Sequence, residues 1–143
     1  MEELNIEILY SSPSKRERLI FGTKDQGALL PYGKYWRLGA NAPTTISINK
    51  DVQFAGKELK SGVYCMYAVP NKDYWDITLN SKINSSGYRP PDPSFDVFTV
   101  AVPVNSTSNL AEQFSISLKE SDLGASMTLK WDHLVTVIPI EIQ

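Results

Sequence analysis

The side chains best suited to holding a ligand lie close together in residues 31–46, which read PYGKYWRLGANAPTTI. Arg37 carries a planar fork of N–H donors that fits a carboxylate or a phosphate. Tyr32 and Trp36 can offer the flat apolar faces that bind sugars, and Asn41 can add hydrogen bonds. These four residues are therefore candidate ligand-binding residues.

A structural role for the same residues is the alternative, and it is common in β-sandwiches. Arg37 would then bond backbone carbonyls of its own loop or an acidic neighbour. Trp36 and Tyr32 would close one end of a hydrophobic core. The residue types alone leave both interpretations open.

The sequence contains no recognisable catalytic set or metal site. The only histidine, His133, follows Asp132 in a predicted hairpin turn, where exposure is usual. The only cysteine, Cys65, lies in the apolar stretch GVYCMYAVP and is predicted to be a buried, inert thiol. One His and one Cys cannot fill a zinc site without two carboxylates. No metal and no cofactor is therefore expected, and catalytic residues remain unassigned.

Composition limits the class of partner. The chain has 143 residues, 42% hydrophobic and 21% charged, which suits one domain spanning residues 1–143. Its net charge is −2 and its Lys and Arg residues are scattered, which argues against a nucleic-acid partner. No apolar run is long enough to span a membrane, and no secretory signal is recognisable.

Alternating apolar and polar residues predict an all-β domain of about eight or nine short strands. We expect one antiparallel β-sandwich, jelly-roll or immunoglobulin-like, with at most one short helix near residues 13–21. Ala55-Gly56-Lys57 is typical of a hairpin turn into Leu59. Residues 63–69 are apolar on both faces, which indicates a central strand.

The second half of the chain is predicted to alternate strands with longer connections. Residues 81–94 are rich in Ser, Gly and Pro and read as a surface loop. Pro103 indicates that the strand over residues 95–104 ends at a sheet edge. Residues 105–113 are polar and read as a connection, and Asp132-His133 as a tight turn.

Several stretches resemble the DUF2911 family, a family of unknown function found mostly in Bacteroidetes. The strongest are YSSPSKRERLIFG at residues 10–22 and LPYGKYWRLGANAPTTI at residues 30–46; GKELKSGVYCMYAVP, residues 75–80 and the final LKW…VTVIPI follow. The resemblance implies a small, mostly β, usually exported domain, hence a periplasmic or extracytoplasmic location, and no reaction. It adds Tyr10 and Arg18 to the candidate ligand-binding residues, since both match the first motif.

Two polar positions depart from the family pattern. Ser12 stands where the family has Arg, and Ala42 where it has Glu. Because removing one partner of a buried ion pair leaves a costly lone charge, their joint absence suggests that the two form a pair in other members.

Three functions follow as hypotheses. The first is a non-catalytic domain that binds a small molecule, for example a glycan, at Tyr32, Trp36, Arg37 and Asn41. The second is a structural or protein-interaction module, in which Arg18, Arg37 and Asn41 bond the protein's own backbone. The third is a hydrolase-type enzyme, in which Arg37 meets a carboxylate of raised pKa in a concave pocket. Oligomeric state is not predicted.

Overall fold

The computed structural model describes residues 3–83 and 89–143, and in these ranges the chain forms eleven strands and one short 3₁₀ turn. The strands are β1 (Ile6–Leu9), β2 (Phe21–Gly22), β3 (Leu30–Pro31), β4 (Thr44–Ile48), β5 (Val52–Phe54), β6 (Lys57–Leu59), β7 (Gly62–Pro70), β8 (Tyr74–Asn80), β9 (Asp96–Pro103), β10 (Asn105–Ser121) and β11 (Gly124–Ile142). The 3₁₀ turn spans Pro93–Phe95. Among the described residues, no helix has the length and apolar character to cross a membrane.

Two antiparallel sheets form the fold, which confirms the predicted all-β sandwich. One sheet has the order β1-β4-β7-β8-β9, the other β10-β11-β5-β6, and β2 and β3 form a small parallel pair. Their apolar faces share one core, which the alternation along each strand explains. In β4, for instance, Ile46 and Ile48 are buried and Thr45 and Ser47 are not.

Three local predictions are confirmed. β7 is the central strand of its sheet, and Cys65 on it is buried. β9 is an edge strand that ends at Pro103. Ala55 and Gly56 join β5 to β6 with φ of 50° and 83°, the left-handed pair that a two-residue hairpin needs.

The short helix that the sequence allows near residues 13–21 does not form. The segment instead runs along the edge of β10, where Ser14 bridges Gln113. Lys15 N donates to Glu112 O at 2.7 Å, and a reciprocal bond joins Phe114 N to Pro13 O at 3.0 Å. Pairing with an open strand edge satisfies these backbone groups, so it outweighs the weak local helix signal.

The predicted connection over residues 105–113 and the predicted turn at Asp132-His133 are wrong. Residues 105–113 lie within β10, an edge strand whose many polar side chains face solvent. Asp132 has a left-handed φ of 56° but lies inside β11 opposite Ala111, where the register shifts. A bulge uses the same residue types as a turn, which explains the error.

The predicted loop over residues 81–94 is correct in its described parts except at its end, where the 3₁₀ turn begins. Its centre, residues 84–88, lies outside the described residues. Asn80 holds both arms of this loop: its side chain accepts from Lys82 N at 2.8 Å and donates to Asp92 O at 3.0 Å.

Tyr10 fixes the segment that follows β1, residues 10–15, to β10. Its hydroxyl accepts a hydrogen bond from Ile116 N at 3.1 Å, and its ring packs edge-on against Phe114 at 5.9 Å. Ser12 Oγ donates to the carbonyl of Phe114. The extended segment therefore joins the edges of β1 and β10 and connects the two sheets on that side.

We expect Tyr10→Phe to lower the free energy of unfolding by about 1 kcal/mol, because it leaves a partly buried backbone N–H without its acceptor. The measurement is urea denaturation followed by tryptophan fluorescence. Tyr74→Phe is the matched control, since Tyr74 is 44% exposed and should tolerate the same change. Equal stabilities for the two variants would contradict a fastening role for Tyr10.

Candidate functional site

Two segments that the sequence singled out, residues 10–22 and residues 30–46, meet at one groove of about 430 Å³. We call these the two motif segments and the groove between them the arginine groove. The first segment supplies Pro13 and Arg18, and the second supplies most of the remaining wall. Trp131 of β11 lies at its base. The lining residues among those described are Pro13, Arg18, Leu29, Leu30, Tyr35, Trp36, Arg37, Gly39, Ala40 and Trp131.

Trp36 lies in the core and reaches the groove with only a small part of its surface. It is 4% exposed, and its backbone pairs with Ala68 of β7 through bonds of 2.7 and 2.8 Å. Its ring packs against four others: Phe21, Trp75, Phe114 and Trp131, at centroid distances of 5.9, 5.4, 4.9 and 6.0 Å. With Trp36, these rings form what we call the aromatic cluster.

Trp75 is the one member of the aromatic cluster with an unsatisfied polar atom. Its Nε1 is buried and has no hydrogen-bond acceptor among the described residues. The ring stands at 88° to that of Trp36. A perpendicular pair allows an indole N–H to point at a neighbouring π face, a weak substitute for an acceptor.

Arg18 is exposed, and its guanidinium is anchored by two backbone carbonyls. Nε donates to Lys15 O at 2.9 Å and Nη2 donates to Ser14 O at 2.6 Å. Arg16 and Glu17 have left-handed φ values of 51° and 58°, so the chain turns back and presents Arg18 to the groove. Both acceptors are neutral backbone carbonyls.

Arg37 enters the groove from the second segment and is partly buried. Nη1 donates to Asn41 O at 2.9 Å, which closes a short loop containing Leu38 and Asn41 in left-handed conformations. Asn41 contributes its backbone carbonyl, and it is not among the residues that line the groove. The loop therefore positions the Arg37 side chain.

Tyr35 lines the groove and is a residue that the sequence interpretation did not select. Burial raises the pKa of its phenol, the nearby Cys65 raises it further, and the Arg37 guanidinium lowers it. The phenol is therefore protonated at neutral pH and can donate a hydrogen bond. Its position next to Trp36, on the opposite face of an extended segment, was the signal that could have identified it.

A partly buried polar cluster on the outer face of the five-stranded sheet supports Tyr35. The Tyr35 ring packs on Tyr67 at 5.5 Å. Tyr67 donates to Asp96, with 3.0 and 3.1 Å to its two carboxylate oxygens, and Asn80 Nδ2 donates to the same carboxylate at 2.8 Å. Burial, followed by the hydrogen bond and charge of Asp96, raises the pKa of Tyr67 to about 12.

Tyr10 and Tyr32, like Asn41, lie outside the described groove lining. The Tyr10 hydroxyl is bonded to Ile116 N. Tyr32 is partly buried and packs against the core, and its backbone N–H donates to Gly22 O at 2.8 Å. The structure thus brings together Arg18, Trp36 and Arg37, and it adds Tyr35.

The groove offers no acidic side chain among its described lining residues. Of the described carboxyl groups, Asp51 and Asp92 have a shifted pKa, and both pKa values are lowered. The main cause is a hydrogen bond from a backbone N–H, that of Ser61 to Asp51 and that of Ser94 to Asp92. No group of three metal-ligating side chains occurs in the described ranges. His133 is exposed, and its Nδ1 lies 3.1 Å from Thr107 O.

The chain belongs to the family described as "Protein of unknown function (DUF2911)", which matches residues 1–140. No curated protein and no solved structure matches the chain. Some of the residues that match the family pattern line the arginine groove: Pro13, Arg18, Trp36, Arg37 and Gly39. The pairing suggested for the family's residues at positions 12 and 42 stays a prediction; here Ser12 bonds a β10 carbonyl and Ala42 is exposed.

Gly39 lets the two motif segments approach each other closely. A Cβ there would lie 2.9 Å from Ser11 O and 3.0 Å from Thr44 Oγ1. We expect Gly39→Ala to lower the free energy of unfolding by about 1–3 kcal/mol, because backbone atoms must move apart. Gly62→Ala is the matched control: its φ of 153° is close to the 159° of Gly39, but its nearest contact is 3.6 Å. The measurement is urea denaturation, and equal losses would contradict the close approach.

Stability should fall at alkaline pH because buried acids keep their protons in the folded state. Burial, followed by the charge of Asp96, raises the pKa of Cys65 from 9.0 to about 11. Its contribution is therefore complete below about pH 9, where the unfolded thiol is still protonated, and is lost as pH rises toward 11. We expect Cys65→Ala to reduce the slope of unfolding free energy against pH between 9 and 10.5. An unchanged slope in equilibrium denaturation would show that the thiol is not shielded.

Proposed function

We propose that this DUF2911 protein is a non-catalytic domain that binds a small ligand in the arginine groove. The observation that carries the proposal is the convergence of Arg18, Arg37 and Tyr35 on one groove with an apolar base. A volume of about 430 Å³ lies within the range of small-molecule sites, which combine apolar walls with a few placed polar groups.

Preorganisation supports this role. Backbone carbonyls of short turns accept hydrogen bonds from the guanidinium groups of both arginines, so less side-chain freedom is lost when a ligand binds. Tyr35 is packed against Tyr67, which Asp96 holds in turn. The polar groups of the groove therefore stand in fixed positions before a ligand arrives.

A carbohydrate is a less favoured ligand than the residue types alone suggest. Sugars stack on open aromatic faces, but Trp36 and Trp131 are 4% and 1% exposed. Tyr35 remains as a partly exposed ring beside the two guanidinium groups. The ligand would instead rest on aliphatic side chains and meet the polar groups at the rim.

A structural or protein-interaction module is the second candidate function. It is favoured by the burial of Trp36 and by the hydrogen bonds of Arg18 and Arg37 to backbone carbonyls. In this role the arginines would serve only to hold their loops. A hydrolase is favoured by no observation in the groove, since no described lining residue is a carboxylate.

Arg37→Gln distinguishes the two candidates. For a binding domain, we expect ligand affinity to fall at least about tenfold while the melting temperature stays close to that of the wild type, because charge-assisted hydrogen bonds to the ligand are lost. A thermal-shift screen of small metabolites and sugars against the wild-type protein identifies the probe, and titration calorimetry measures its affinity for each variant.

Arg16→Gln is the matched control, since Arg16 is exposed and does not line the groove. A fall in melting temperature for Arg37→Gln, without any ligand that binds the wild-type groove, would favour the structural module. Arg37→Lys keeps a charge without the planar fork and provides a second variant if Arg37→Gln folds poorly.

A further inference from the structure

We infer that an extended peptide of a partner protein pairs with the uncovered part of the β10 edge and fills the groove beside it. The peptide carries apolar residues at alternate positions and at least one lysine or arginine. This groove shares no described lining residue with the arginine groove, so the inference does not depend on the function proposed above.

The site is a groove of about 730 Å³ between the start of β1 and the hairpin that joins β10 to β11. Residues 3–6 form one wall, and residues 118–122 form the other. Ile142, at the end of β11, also lines it. We call this the edge groove.

The hydrophobic core is uncovered at the edge groove. Leu118 lies on the inward-facing side of β10, in line with Phe114, and Ile142 lies in line with Ile140 on β11. Phe114 and Ile140 are fully buried, whereas Leu118 and Ile142 are 40% and 45% exposed. Inward-facing apolar side chains therefore lack a covering layer here, and the apolar residues of a bound strand supply one.

The segment over residues 10–15 shows how the same edge is covered further along. It runs extended beside the first part of β10 and bridges Gln113 through Ser14. Phe114 N donates to this segment at 3.0 Å, and Ile116 N donates to it at 3.1 Å. The outward-facing backbone groups of β10 thus belong to its even-numbered residues, and the cover ends at Ile116.

The next two outward-facing residues, Leu118 and Glu120, have no such cover. Backbone groups alternate between the two edges of an antiparallel strand, and the pairing with β11 runs without a register shift from Ser115 to Ser121. Among the described residues, no hydrogen bond reaches the backbone N–H of either residue. A row of open donors and acceptors beside an apolar groove is what an added β-strand satisfies.

β1 forms the opposite wall and limits the size of the occupant. Asn49 N donates to Asn5 O at 3.3 Å, so the backbone of Asn5 faces β4 and that of the next residue, Ile6, faces away from β4. The two edges belong to sheets that pack about 10 Å apart, which leaves room for one chain. The folded edge of a second copy is itself two sheets thick, so a single extended peptide fits better.

The rim of the edge groove carries more acidic than basic groups. Glu3, Glu120 and Asp122 are exposed carboxylates, and Lys50 and Lys119 are the basic residues of the described lining. No ion pair joins these five side chains in the described part of the chain. A basic residue of the peptide can therefore pair with a carboxylate, and rim charges of this kind set orientation more than affinity.

Synthetic peptides with blocked ends test the inference. The probe is acetyl-KVTVTVK-amide, in which apolar and polar residues alternate between basic ends. One control is the same peptide with the three valine N–H groups methylated, because the valines lie opposite Leu118 and Glu120 and donate to β10. The second control, acetyl-KVVTTVK-amide, keeps the composition and breaks the alternation.

Binding is followed in ¹H–¹⁵N spectra of the whole chain. We expect the probe to shift the amide signals of Leu118 and Glu120 and to slow their exchange with water. The indole signal of Trp36, which lines the arginine groove, should not move. Both control peptides should bind at least about tenfold more weakly, since backbone pairing and side-chain alternation each contribute.

Variants of the β10 edge locate the contact. Leu118→Pro removes one outward N–H and keeps the ladder to β11, because Pro is tolerated where a strand N–H faces solvent. Leu118→Lys keeps the backbone and is the second variant if Leu118→Pro folds poorly. Each should weaken binding at least about tenfold. Leu123→Lys is the matched control with unchanged binding, since Leu123 is 64% exposed and does not line the groove.

Three results would overturn the inference. The first is equal binding of the probe and the methylated peptide, because backbone pairing would then play no part. The second is the absence of any shift at Leu118 and Glu120 with the probe. The third is a concentration-dependent shift of these signals without peptide, which would identify a second copy as the occupant. None of these results bears on the arginine groove, whose test is Arg37→Gln.

Discussion

The aromatic cluster is the constraint on which the rest of the structure depends. Trp75 comes from the five-stranded sheet, Phe114 and Trp131 from the four-stranded sheet, and Phe21 and Trp36 from the segments between β1 and β4. Removing one such side chain from a core typically costs about 3–5 kcal/mol. Because these rings pack on one another, the sheets and both motif segments occupy fixed positions together.

The open edge of β10 is the second constraint. An edge strand exposes a row of unsatisfied N–H and C=O groups, which proteins cover or pair. Here residues 10–15 cover part of that row through backbone bonds, the Tyr10 hydroxyl and Ser12. The ion pair of Lys15 with Asp132, 2.8 Å long and largely shielded from water, joins the same segment to the bulge in β11. Arg18 follows directly and is therefore placed at the groove.

The arginine groove lies where these two constraints meet. The core holds Trp36, so its neighbours Tyr35 and Arg37 project to the rim, and the β10 edge holds the turn that carries Arg18. Burial of Trp36 and access to Arg37 are thus compatible, because alternate residues of an extended segment point in opposite directions. A structural role for Trp36 and a ligand-binding role for Arg37 are therefore compatible, because they belong to adjacent side chains.

The sequence by itself determined the class of fold, the central strand β7, the hairpin at Ala55-Gly56 and the buried thiol of Cys65, because each depends on alternation or on local backbone preference. It also singled out residues 31–46, although it could not separate Trp36 in the core from Arg37 at the rim. Only the tertiary structure decided the course of residues 13–21, the bulge at Asp132 and the meeting of Arg18, Tyr35 and Arg37. Strand pairing between distant segments sets these features, and no short window of sequence contains both partners of such a pair.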